Sequence, residues 1–283
     1  MRINTNINSM RTQEYMRQNQ DKMNTSMNRL SSGKRINSAA DDAAGLAIAT
    51  RMKAREGGMS VAARNTQDGM SLIRTAESAM NSVSNILLRM RDLATQSANG
   101  ANTKGNQASL QKEFSELQKQ ITYISDNTQF NDQNLLKAGT TVTIQTMDSS
   151  DSKQQIGVKL SSVSLGALSI KDIAIGNAAL ATGLTAAADA TSARAAISAI
   201  DAALAKVAGD RATLGATLNR LDFNVESLNN QATNMAATAS QIEDADMAKE
   251  MSEMTKFKIL NEAGISMLSQ ANQTPQMVSK LLQ

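Results

Sequence analysis

The side chains able to do chemistry in this sequence are few and poorly grouped. Asp41 and Asp42 are adjacent carboxylates, and Glu243, Asp244 and Asp246 form a tight acidic group near the other end. A catalytic carboxylate pair needs two different environments, one favouring the proton and the other the ion. Asp41 and Asp42 have no partner acid, base or metal ligand at readable spacing. The acidic trio could meet a divalent ion, but it lacks the glycine and terminal glutamate of a calcium loop. It therefore reads as solvated charge at a helix start. The 283 residues include no histidine and no cysteine, which removes imidazole bases, thiolate nucleophiles, zinc–thiolate centres and disulfides. The 15 glycines never form G-x-x-x-x-G-K or G-x-G-x-x-G. No catalytic, cofactor-binding or metal-ligating residue is assigned, and the chain is read as a structural protein rather than an enzyme.

The elements around these residues are long helices. Aromatics are 2% of the chain, while Ala, Met and Leu carry most of its 41% hydrophobic content, and the single proline is Pro275. Such a composition suits packed helices that almost nothing interrupts. Steps of three and four select Ile197, Ile200, Leu204, Val207, Arg211, Leu214, Leu218, Leu221, Val225, Leu228, Ala232, Met235, Ala239 and Ile242. Only Arg211 breaks this seam, whose length is the mark of a coiled coil. Ile73, Ala76, Met80, Val83, Leu87, Met90 and Ala94 repeat the spacing upstream, and Leu110, Phe114, Leu117, Ile121 and Ile124 follow after an Asn-Gly turn. Ser38-Ala-Ala-Asp41 reads as a helix capping box, with Ser38 covering free amides and Asp41 favoured by the positive helix end. Val142 and Ile144, then Ile156, Val158 and Leu160, alternate with polar neighbours across a Ser- and Asp-rich loop, the signal of a β-hairpin. The remaining stretch to about residue 185 reads as irregular with short strands. The expected fold class is mainly α: a long antiparallel helical bundle or coiled coil formed by the N- and C-terminal halves, with a small β-hairpin region in the middle.

The two ends differ from the bundle. Residues 1–40 are net positive and residues 243–283 lean acidic, so the two arms should attract. Ile3, Ile7, Met10, Met16, Met23, Met27 and Leu30 recur at mostly helical intervals at one end. Met247, Met251, Met254, Ile265, Leu268 and Leu281 do so at the other. Arms this thin bury too little apolar surface to offset their ordering entropy. They are expected to order fully only when neighbouring copies cover them. A basic arm could also lie on a membrane surface, but this one has no Trp or Phe. No apolar run approaches a membrane span, and the first residues do not form a secretory signal peptide. With only four Phe, two Tyr and a net charge of +3, nucleic-acid binding has neither stacking platform nor basic stripe.

The segments Leu30-Ser-Ser-Gly-Lys-Arg-Ile-Asn-Ser-Ala-Ala-Asp-Asp-Ala-Ala-Gly-Leu-Ala-Ile-Ala49 and Asn65-Thr-Gln-Asp-Gly-Met-Ser-Leu-Ile-Arg-Thr-Ala-Glu-Ser-Ala79 resemble the N-terminal signature of bacterial flagellins. Gln241-Ile-Glu-Asp-Ala-Asp-Met-Ala-Lys-Glu250 and Ala263-Gly-Ile-Ser-Met-Leu-Ser-Gln-Ala-Asn-Gln-Thr-Pro-Gln276 resemble the C-terminal one. The resemblance implies a flagellar filament subunit, a helical homopolymer of this chain, with a hook–filament junction protein as the alternative. It implies terminal arms 1–40 and 243–283 paired in an inner tube, a bundle of 41–139 and 186–242 in the surrounding tube, and 140–185 at the surface. Subunit packing is then expected at Ile3, Ile7, Met10, Met23, Met27, Leu30, Met247, Met251, Met254, Ile265, Leu268 and Leu281. The implied partners are the flagellar type III export apparatus, a cytoplasmic secretion chaperone at the C-terminal arm, and the filament cap and hook-associated proteins. Leu87-Leu-Arg-Met-Arg-Asp-Leu-Ala-Thr-Gln-Ser-Ala-Asn99 is similar to the stretch gripped by the vertebrate Toll-like flagellin receptor. Arg89, Leu93 and Glu113 fall on the matching positions, while Leu88 departs from a usual polar residue. The expected location is the extracellular flagellar filament, reached by secretion.

Overall fold

The computed structural model describes residues 6–137, 139–149, 151–175 and 186–281. Its helices are α1 (Ile7–Ser32), α2 (Ala43–Ser97), α3 (Lys104–Asn127), α4 (Ala186–Glu243) and α5 (Met247–Leu281). Two antiparallel strand pairs lie between α3 and α4: β1 (Gln129–Phe130) with β2 (Gln133–Asn134), and β3 (Thr141–Gln145) with β4 (Gln155–Lys159). The chain divides into two compact units, Gly58–Gln231 and the combination of Met1–Gly57 with Ala232–Gln283.

The larger unit is built on the α2 seam. Stepping by three and four from Met59 through Ala62, Thr66, Gly69, Ile73, Ala76, Met80, Val83, Leu87, Met90 and Ala94 to Ser97, every position is buried. The seam read from apolar residues thus extends by more than two turns at its start, across a threonine and a glycine. Thr66 is tolerated there because its hydroxyl donates to the Ala62 carbonyl at 2.7 Å. On α4, Ile200, Val207, Leu214, Leu221 and Leu228 are at most 1% exposed, while Leu204, Arg211, Leu218 and Val225 between them are half-buried. One row of the heptad forms the core and the other its margin. Arg211 sits on that margin with its guanidinium 3.8 Å from Glu77, so the break in the apolar seam does not bury a lone charge. Arg91 to Asp201 at 2.6 Å and Arg211 to Glu77 set α4 antiparallel to α2. Arg89 to Glu113 and the Gln107 amide donating to the Ser97 carbonyl set α3 antiparallel to α2. The side chains of all three helices join one apolar cluster.

The β3–β4 hairpin has the register Val142 opposite Val158 and Ile144 opposite Ile156. Gly69 explains how closely it packs on α2: a Cβ there would lie 2.0 Å from Ile144 Cδ1. Glycine costs about 1 kcal/mol in a helix interior relative to alanine, a cost that close contact with the strand offsets here. Residues 160–175, expected to be irregular with short strands, contain no strand. They contribute core instead, since Leu160, Val163, Leu168, Ile170 and Ile175 are nearly or fully buried. Polar side chains tether this stretch. The Gln118 amide donates to the carbonyls of Ile170 and Ile173, the Gln111 carbonyl accepts from the Ile175 N–H, and the Ser97 hydroxyl donates to the Ile175 carbonyl. Backbone groups buried outside regular structure need such partners. The β1–β2 turn is a further element that alternation did not reveal. Asn131 and Asp132 both have positive φ, 49° and 61°, as a two-residue hairpin turn of the mirror-image type requires, and Asn and Asp tolerate that region best after glycine.

The capping at the start of α2 differs from expectation. Asp41 Oδ2, not the Ser38 hydroxyl, is the acceptor, receiving the backbone N–H groups of Asn37 and Ser38 and the Ser38 hydroxyl. These bonds, led by that from Ser38, hold the Asp41 carboxyl below its usual range. The helix begins two residues later, where Asp42 Oδ1 accepts the Gly45 N–H at 2.9 Å. The two adjacent aspartates thus have separate structural tasks.

Candidate interaction surface

In the smaller unit α1 and α5 pair antiparallel. Asn6 caps α1 by accepting the Ser9 N–H, and its amide donates to the Ala271 carbonyl at 2.8 Å. The Asn261 amide donates to Gln20 at 2.7 Å, and Arg29 meets Glu250 at 3.2 Å. Gly33, with φ 71°, ends α1 in the left-handed conformation and returns its N–H to Arg29. The contact face of α1 runs through Ser9, Thr12, Met16, Asn19, Met23, Ser26 and Leu30. That of α5 runs through Glu250, Met254, Phe257, Asn261, Gly264, Leu268 and Ala271. Both follow alternating steps of three and four, yet small and polar residues fill more than half the positions. Gly264 lets Met16 in, since a Cβ there would lie 2.8 Å from Met16 Cγ.

This geometry sorts the apolar residues of the arms into two groups. Met23, Leu30, Met254 and Leu268 are half-buried in the α1–α5 seam. Ile7, Met10, Met27, Met247, Met251 and Ile265 point outward and are 51–61% exposed. Tyr15, Ile259 and Met267, not singled out in the sequence, are also more than half exposed. Ile3 lies outside the described residues, as does the side chain of Leu281. Periodicity alone could not separate the groups, because apolar residues line both faces of each arm.

Where the arms join the longer helices, the chain is clipped across itself. The Glu243 carbonyl accepts the N–H groups of Arg35 and Ile36, and Ala245 N–H donates to the Gly33 carbonyl at 3.0 Å. The Arg35 guanidinium also donates to the Ile242 carbonyl at 2.7 Å. Glu243 is only 5% exposed, and its carboxylate forms ion pairs with Lys34, at 2.6 Å, and Lys53. The expectation that the acidic trio is solvated charge is therefore corrected for Glu243: two ammonium groups and the crossing backbone cover it. Asp244 accepts from the Ser240 hydroxyl, and Asp246 accepts the Ala248 and Lys249 N–H groups at the start of α5. Among the described residues there is no cluster of three or more metal-ligating side chains.

The Lys34 and then the Lys53 hydrogen bond hold the Glu243 carboxyl below the ordinary carboxylate range, outweighing its burial. A carboxyl lowered in the folded state stabilises that state above its unfolded pKa and ceases to do so as pH falls through the folded value. The clip is thus fully engaged at neutral pH and released in acid, below the usual carboxylate pKa of ~4.3. Lys34 is raised by the same contact, so its contribution is complete below its unfolded pKa and is lost as pH rises through the folded value. Helix content followed by circular dichroism from neutral to acid pH should fall less steeply for Glu243→Gln than for the parent chain. Superimposable acid transitions would show that Glu243 does not govern them.

The proposed receptor residues separate. Arg89 and Glu113 are partly exposed and bonded to each other at 2.7 Å. Leu93, a possible receptor contact by resemblance, is 1% exposed in the single chain, within the core cluster. It occupies the position before the seam residue Ala94, on the side of α2 that faces the rest of the unit. Leu88, by contrast, is 49% exposed.

No helix among the described residues is long and apolar enough to cross a membrane. In comparison with known proteins, residues 3–141 match the family described as the bacterial flagellin N-terminal helical region. Residues 197–282 match the bacterial flagellin C-terminal helical region. The chain is 45% identical over 289 aligned positions to the flagellin of Listeria innocua, covering 100% of this chain and 99% of the relative. Against the flagellin of Halalkalibacterium halodurans it is 45% identical over 282 positions, covering 100% of each. A solved structure described as a putative flagellar hook-associated protein from Vibrio parahaemolyticus superposes with a TM-score of 0.60, covering 72% of this chain and 100% of that one. At 14% identity, that likeness shows the fold alone.

Proposed function

Since this chain belongs to the bacterial flagellin family and is a structural subunit of the flagellar filament used for motility, we propose that the outward faces of its paired arms are where copies join. The observation that carries this is the row of outward Met and Ile side chains on α1 and α5, more than half exposed in the single chain. A monomer leaves that apolar surface in water, and contiguous exposed apolar surface marks an association site. In this reading arms 1–40 and 243–283 form the inner tube, residues 41–139 and 186–242 the surrounding one, and the hairpin region of 140–185 the outside. Nothing in the comparisons favours the hook–filament junction alternative.

The same exposed face supports the further partners. Inside the cell it would need cover, which suits a secretion chaperone on the C-terminal arm. Marginal arms suit passage in an extended state through the type III export apparatus, followed by ordering on assembly under the filament cap and on the hook-associated proteins. Arg89, Glu113 and the exposed Leu88 are the surface left for a Toll-like receptor once Leu93 is internal.

Electron microscopy of the purified chain, before and after adding salt or filament seeds, tests the assembly reading against a truncation lacking residues 1–40 and 243–283. Long uniform filaments are expected from the intact chain and none from the truncation. Filaments from the truncation would move the joining surface elsewhere, and an intact chain that stays monomeric with seeds would return the junction-protein alternative.

A further inference from the structure

Asn99 and Gly100 form the only Asn-Gly pair in the chain, in the exposed turn between α2 and α3. Backbone bonds frame this turn: Asn99 N–H donates to the Gln96 carbonyl at 3.2 Å and Asn102 N–H to the Asn99 carbonyl at 3.1 Å. The Asn102 amide donates to the Gln96 carbonyl at 2.6 Å. The Asn99 side-chain oxygen accepts the Ala101 N–H at 3.1 Å, a local turn typical of asparagine. A hydrogen bond to the side-chain oxygen draws electron density from the amide carbon. The Gly100 N–H makes no hydrogen bond among the described residues. Gly100 has no Cβ to shield its nitrogen, and nothing lies within 4 Å of where a Cβ would be.

We propose that Asn99 is a site of spontaneous covalent modification, where the Gly100 amide nitrogen closes onto the Asn99 side chain. The nitrogen loses its proton to solvent base and attacks Asn99 Cγ. A new C–N bond forms, the bond from Cγ to the side-chain NH2 breaks, and ammonia leaves with a proton from water, giving a five-membered imide. Water then adds to either imide carbonyl and breaks one of its two C–N bonds. One opening gives aspartate in the ordinary chain; the other gives isoaspartate, which routes the backbone through the former side chain. No oxidant, enzyme or metal is required. Asparagines inside α4 cannot follow the same route readily, because the next peptide N–H is bonded along the helix and is turned away from the side chain.

Both products place a carboxylate just beyond the C-terminus of α2, where the helix dipole disfavours negative charge. Isoaspartate also adds a methylene to the backbone between two helices whose antiparallel pairing depends on this short turn. The modification therefore loosens the α2–α3 connection with the age of the subunit.

The full-length chain, incubated in mildly alkaline buffer at physiological temperature, is digested at intervals and mapped by mass spectrometry. Conversion at Asn99 is expected to run several-fold faster than at Asn219, Asn224, Asn229 or Asn234 of α4 and to yield isoaspartate together with aspartate. Gly100→Ala should slow it several-fold without moving the thermal melt, since the added methyl meets open space. Conversion of Asn99 no faster than the helical asparagines would overturn the proposal. So would an unchanged rate in Gly100→Ala, or a product that is aspartate alone, which direct hydrolysis gives.

Discussion

Glutamate at both Met251 and Ile265 is expected to abolish filament growth while leaving the monomer's thermal melt in place. The residues are 55% and 57% exposed in the single chain and fourteen positions apart, so they lie on the same side of α5. Exposed substitutions away from special features change stability by only about ±0.5 kcal/mol, and glutamate is a good helix former. On the proposed joining face the reverse is expected. A carboxylate pressed into an apolar contact without a partner costs several kcal/mol, and the contact recurs at every subunit. Seeded assembly followed by sedimentation and electron microscopy reads the polymer, and calorimetry reads the monomer. Normal filaments from the double variant would remove this face from the joining surface. A collapsed monomer melt would instead show that Met251 and Ile265 hold the arm pair together.

Phe114→Ala should cause a large loss of folded stability in the larger unit. Phe114 is fully buried, the bulkiest of the core side chains, and the inward anchor of α3. Removing a buried phenylalanine deletes its transfer free energy and leaves a cavity, together about 3–5 kcal/mol. In a unit of this size each kcal/mol lowers the melting temperature by about 2–4 °C. Phe223 is the natural control: it lies on α4 and is 71% exposed, so Phe223→Ala should change little. Equal melts for the two variants would mean that Phe114 does not anchor α3 in solution.

The helical bundle was legible because its seams are long and apolar on both partners. Ile73 through Ala94 and Ile200 through Leu228 repeat often enough for periodicity to identify the buried face, and Val142, Ile144, Ile156 and Val158 likewise declare a hairpin. Three buried positions of the α2 seam, Thr66, Gly69 and Ser97, are polar or have no side chain. Thr66 and Ser97 satisfy their hydroxyls within the fold, and Gly69 is buried because Ile144 needs its space. Neither property appears in a hydrophobic pattern. Leu93 shows the reverse relation between resemblance and burial. It falls on a matching position of a segment resembling a receptor-binding stretch, and the wide apolar face of α2 takes it inside.

By itself the sequence determined the class of molecule. The scarcity of aromatics, a single proline, long apolar seams, a basic arm and an acidic arm, and no thiol or imidazole already describe a helical, self-packing structural chain. These are sums over many residues, so no single misjudged position alters them. Only the tertiary structure decided which side of each arm faces its partner and which is left exposed. It also decided that Glu243 is a buried clip between two lysines rather than a solvated charge, and that residues 160–175 form core without forming strands. Each of these depends on where a few groups distant in the chain meet, and residue type does not encode that meeting locally. On arms with apolar side chains on both faces, Gly264 making room for Met16 and Arg29 finding Glu250 settle the pairing face. The outward methionines and isoleucines are what remains.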